Sequence, residues 1–147
     1  RAEPPSGPMT VARLMALDAE AIEIPLAGLP DVADGVTGRI VWSDRQQTGV
    51  LQVRGLPAND RQQVQYQLWV FDRGREERSE QHPAVDGGVF DVAAGASELE
   101  IPIEAKLAVF DPYLFAITSE PPGGVVKHDP ALDPERFRIL ATAAVPG

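Results

Sequence analysis

Two histidines, five serines and no cysteine make up most of the nucleophile and soft-ligand stock of this 147-residue chain. A metal site built on His82 and His128 would need both polar stretches brought together with Asp86 or Asp129, so each imidazole reads more simply as an exposed loop residue. None of Ser6, Ser43, Ser79, Ser97 and Ser119 lies in the Gly-x-Ser-x-Gly elbow that exposes a hydrolase nucleophile. Glu98, Glu100 and Glu104 share one face of an alternating stretch, as a paired-carboxylate mechanism would want. That face is the outward one, where carboxylates in water keep ordinary pKa values and make poor general acids. The pairs Gly87-Gly88 and Gly123-Gly124 lack the following Lys-Ser/Thr or helix of a phosphate cradle. These residues point away from an enzyme and imply no cofactor.

The elements that would position any such groups are strands. "GRIVWS" (38–43), "GVLQVRG" (49–55), "VQYQLWVFD" (64–72), "GVFDV" (88–92), "ELEIPI" (98–103), "YLFAITSE" (113–120) and "RFRILATAAV" (136–145) are β-branched or aromatic runs bounded by Gly, Pro, Asp or Asn. Ile22, Ile24 and Leu26 begin an earlier one, which Pro25 pushes toward a sheet edge. With short turns and no long intervening helix, about eight strands predict an all-β fold, an antiparallel Ig-like β-sandwich. Val11, Leu14, Met15 and Leu17 share a helical face in "MTVARLMALDA" and predict a short N-terminal helix after Thr10. In "QYQLWVFD" the run Leu68 to Phe71 is apolar on both faces, predicting a central strand covered on one side by a partner sheet and on the other by the 9–19 segment. Gln65 and Gln67 are expected to reach water. "EPPGG" (120–124) ends a strand with prolines and then supplies two residues free to take positive φ, a tight reversal.

Thirteen glycines and fourteen prolines suit this turn-rich plan. A net charge of -9 leaves no cationic excess to displace counterions from nucleic acid or to hold an anionic lipid surface. No apolar run reaches the ~18–20 residues that span a bilayer. Residues 1–8 read as a linker and residues 9–147 as one domain.

"TGVLQVRGLPA", "QYQLWVFD", "GGVFDV" and "FAITSEPPGG", in this order, resemble the C-terminal extracytoplasmic domain of anti-sigma factors of the anti-sigma-K type. The signature residues are Gly55, Leu56 and Pro57; Tyr66, Gln67, Leu68 and Trp69; Gly88 and Phe90; and Glu120, Pro121, Gly123 and Gly124. The resemblance implies a non-catalytic regulatory domain on the outer, periplasmic face of a bacterial inner membrane, with residues 1–8 as the membrane-proximal tether. It also implies a sigma factor bound only through a separate N-terminal cytoplasmic segment, and release by a regulatory protease. The alternative reading is an exported sandwich that binds a carbohydrate or protein partner, which requires an exposed aromatic platform. On either reading the loops at 72–83 and 127–135 are where a partner is expected.

Overall fold

The computed structural model describes residues 9–76, 84–124 and 138–146. The loop histidines, the linker and most of both long polar loops therefore lie outside the described residues. Eight strands form: β1 (Ile22–Gly28), β2 (Thr37–Ser43), β3 (Thr48–Arg54), β4 (Gln65–Asp72), β5 (Ala84–Phe90), β6 (Glu98–Ile103), β7 (Pro112–Glu120) and β8 (Arg138–Ala144). Two helices accompany them among the described residues, α1 (Val11–Leu17) and the four-residue α2 (Arg73–Glu76).

The predicted sandwich is corrected to one continuous antiparallel sheet, ordered β5-β4-β7-β8-β1-β2-β3-β6 and curled into a nearly closed barrel. The stitch is the pairing of Ala27 with Thr142 and Gly28 with Ala141, which joins β1 to β8 and makes two half-sheets into one. Alternation in sequence is the same in a sandwich and a barrel, because both bury one face of each strand. One core takes residues from every strand, including Ile24, Trp42, Leu51, Leu68, Val85, Ile103, Phe115 and Ala141. The Trp42 and Phe115 rings meet across the interior with centroids 5.8 Å apart, although β2 and β7 are three places apart in the sheet.

The edges are β5 and β6, not β1. Pro25 is tolerated inside the sheet because it pairs with Arg39 of β2, while β8 pairs with β1 only at its far end, at Ala27 and Gly28. At the seam, the Glu104 N–H donates to the Gly87 carbonyl and the Lys106 N–H to the Asp86 carbonyl, each at 2.9 Å. Pro102, Glu98 and Glu100 on β6 blunt the remaining edge, since a proline offers no donor and charges resist an incoming strand. Glu98 pairs with Arg54, and Glu100 accepts from Gln52 at 3.3 Å. Two of the three carboxylates expected on a solvated face thus have ordinary cross-strand partners.

Helix α1 forms where predicted, with the Thr10 hydroxyl accepting from the Arg13 N–H as its N-cap. Val11 and Leu14 are its buried residues and pack on Val41 and Val50, a cross-strand pair on the outer surface of β2 and β3. Met15 and Leu17, placed on the same face by periodicity, stay exposed, because seven residues make only two turns and the sheet meets just one side of them. Asp18 at the helix end accepts from the Ser43 hydroxyl and the Glu20 N–H, in that order of influence, and both hold its carboxyl below the usual carboxylate range. The helix is thereby tied to β2. It does not cover β4.

Candidate functional site

Strand β4 has two buried faces. Tyr66, Leu68 and Val70 point into the barrel core. Gln67 and Trp69, on the opposite face, are 0% exposed, which corrects the expectation that Gln67 reaches water. The reason is the turn after β7, which brings Gly124 over this face, so close that a Cβ there would stand 2.7 Å from Gln67 Oε1 and 2.6 Å from Val89 Cγ2. Gln65 is half-buried and also engaged. Its Nε2 donates to Asp91, and its Oε1 accepts from the Gly123 N–H at 2.7 Å.

On the outer face, a relay of polar groups runs across β4 and β7. Trp69 Nε1 donates to Thr118 Oγ1 at 2.9 Å, and the Thr118 hydroxyl donates to Glu120 Oε2. Trp69, Thr118 and Glu120 are each at most 2% exposed. Glu120 Oε1 has no hydrogen-bond partner among the described residues. Burial pushes this carboxyl up from the ordinary glutamate value, against the opposing pull of the Thr118 and Trp69 contacts. A carboxyl whose pKa is raised by folding binds its proton more tightly in the native state, so its contribution to stability falls as pH rises from the unfolded pKa through the folded one. Glu120→Gln is therefore expected to stabilise the domain at pH 8 and to leave it nearly unchanged at pH 4. Urea midpoints across that range test this, and a variant that loses stability relative to wild type as pH rises would contradict it.

Around the opposite surface of the same strands, the remaining signature residues build a wall. Gly55 follows the β3 hairpin arm at φ +87°, so near Gly35 that a Cβ there would collide with the Gly35 carbonyl. Leu56 then enters the core, and the Pro57 carbonyl accepts the Tyr66 hydroxyl at 2.7 Å. Tyr66 stacks on Phe90 at 5.5 Å, and its burial pushes the phenol pKa up, so it remains a neutral donor. Asn59 fastens the connection to β4 by donating to the Val64 carbonyl and Asp91 while accepting the Val92 N–H. The Asn59 and then Gln65 hydrogen bonds hold the Asp91 carboxyl below its usual range. Between this wall and the Val32–Val36 bend lies a cleft of about 360 Å³, bordered on its far side by Ser119 and Leu140.

Each signature residue thus has a place. Gly55, Leu56, Pro57 and Tyr66 line the cleft. Gln67, Trp69 and Glu120 belong to the buried outer face, and Leu68 and Phe90 to the core. Gly88 takes φ +121° just past the irregularity where β5 shifts register against β4. Pro121 and Gly124 close the turn through a 2.9 Å backbone hydrogen bond, and Gly123 and Gly124 take φ +89° and +74°, as the reversal requires. The cleft and the Glu120 relay were not foreseen. Ser119 and Glu120 are adjacent polar residues at the end of a strand, and alternation alone assigns one of them to each face without saying that both faces are covered.

The aromatic platform that a carbohydrate-binding sandwich needs is not formed by the tryptophans, since Trp42 is 1% exposed and Trp69 0%. No three potential metal ligands cluster among the described residues, and no helix among them is long and apolar enough to cross a membrane. The loop segments named for partner binding fall mainly outside the described residues.

No curated protein and no solved structure matches the chain. The family model described as "Anti-sigma-K factor rskA, C-terminal" matches residues 1–135, nearly the whole length and all four signature stretches. On that match the chain belongs to the RskA C-terminal family, and is a regulatory domain of the anti-sigma factor class.

Proposed function

We propose that this domain is the extracytoplasmic part of a membrane-anchored anti-sigma factor that controls an extracytoplasmic-function sigma factor, and that it works without catalysis. The family match over residues 1–135 carries this reading. Residues 1–8 act as the membrane-proximal tether, and residues 9–147 are one folded unit beyond it. The sigma factor is held by a separate cytoplasmic segment, and the barrel governs when a regulatory protease gains access to the chain. The fold suits that task. A nearly closed sheet with its two edges joined by backbone hydrogen bonds and blunted by Pro102 offers a protease little extended chain while it stays folded. A charge of -9 keeps such a domain soluble and off anionic lipid.

The deciding experiment is a reporter for the cognate sigma regulon, in cells whose anti-sigma factor carries or lacks residues 9–147. Deletion is expected to raise basal expression or abolish induction. A regulon with unchanged basal level and unchanged induction would refute a sensing or shielding role.

A further inference from the structure

We propose that the cleft between the Gly55–Pro57 wall and the Val32–Val36 bend is a binding site for a small, uncharged, largely apolar molecule carrying one hydrogen-bonding group, which meets the Ser119 hydroxyl. The lining carries the argument. In a chain that is 24% charged, none of the eleven described residues that line this cleft bears a charge. An ion entering it would lose hydration and find no counter-charge among these residues. Val32, Val36, Leu56, Pro57 and Leu140 provide the apolar walls. Two side-chain hydroxyls border it, and that of Tyr66 is already committed to the Pro57 carbonyl. The Ser119 hydroxyl makes no hydrogen bond among the described residues, which leaves it to orient a guest.

The site is also formed in advance. The Tyr66 hydrogen bond, the Tyr66–Phe90 stack and the tight approach of Gly55 to Gly35 hold one wall rigid, so little ordering cost remains for binding. At about 360 Å³ the space sits at the small end of ligand cavities, suiting a molecule the size of a substituted ring. A protein partner fits less well, because a stable interface covers roughly 800 Å² on each side. Among the described residues, Val32 is the only large apolar side chain of this rim that stands exposed, while Met15, Leu17, Ile22, Leu107 and Phe110 belong to α1, the start of β1 and the β6–β7 connection.

Titration of the 147-residue chain with p-cresol, followed by amide chemical shifts, tests the site. Saturable shifts are expected at Val36, Leu56, Tyr66, Ser119 and Leu140. Toluene should bind the same place more weakly, and benzoate should not bind. Ser119→Ala should weaken p-cresol about two- to tenfold and leave toluene unchanged, as the loss of one hydrogen bond predicts. Ser119→Leu should fill the cleft and abolish both, with retained folding checked by its melting curve; if that variant does not fold, the alanine variant still decides the matter. The proposal is overturned if p-cresol shows no saturable shifts up to its solubility, if they cluster elsewhere, if benzoate binds equally well, or if Ser119→Ala weakens toluene as much as p-cresol. No sigma factor is involved in this measurement, so its result is separate from that of the regulon reporter.

Discussion

Trp69→Ala is expected to destabilise the domain by about 3 to 5 kcal/mol, the range for emptying a buried aromatic site. At this chain length that lowers the melting temperature by roughly 10 to 20 °C. The indole is 0% exposed, sits in the middle of β4 between β5 and β7, and donates to Thr118, which in turn donates to Glu120. Alanine therefore opens a cavity and also removes the donor at the head of a buried relay. Trp69→Phe separates the two contributions: it restores most of the volume but not the N–H, and should recover all but about 1 to 2 kcal/mol. Urea denaturation of both variants checks this. A loss under 1 kcal/mol for the alanine variant would mean that the outer face of β4 is not a packed interior.

Gly55→Ala is expected to cost about 2 to 5 kcal/mol, combining a non-glycine residue held at positive φ with an overpacked contact. The glycine lies at φ +87°, and a Cβ there would stand 2.0 Å from the Gly35 carbonyl oxygen and 2.8 Å from its carbon. Those neighbours are backbone, so no rotamer change relieves the collision. Gly95 is a control for the conformational part alone: it takes φ +82° with nothing within 4 Å of the added atom. Gly95→Ala should then cost only about 1 to 2 kcal/mol. Equal losses at the two sites, measured by thermal melting, would show that the approach of Gly55 to Gly35 has no energetic weight.

The two glycines also show how far local sequence reaches. "RGLPAN" announces the end of a strand and a turn: β3 ends at Arg54 and Gly55 takes positive φ, while the turn itself comes later, at residues 61–63. Nothing in those six residues says that Gly55 presses on Gly35, twenty positions earlier, or that Pro57 will accept the hydroxyl of Tyr66. The glutamines of β4 make the same point. Gln67 looks like a wet residue beside a tryptophan, yet it is buried because the Gly124 turn closes over it. Pro25 is a third instance, marked by its missing N–H as an edge residue and placed inside the sheet because β8 ends its pairing short of it.

By itself the sequence determined the strands, the short capped helix, the reversal at Gly123 and Gly124, and the family, because each depends on residues close together along the chain or on their order. Tertiary structure alone decided that the strands close into one curled sheet, that β5 and β6 are its edges, that Glu120 is buried with one oxygen unpartnered among the described residues, and that a cleft whose described lining is uncharged opens beside Ser119. The physical reason is that alternation every second residue assigns a side chain to one of two faces, whereas the neighbour across each face is set by register and curvature between strands far apart in the chain.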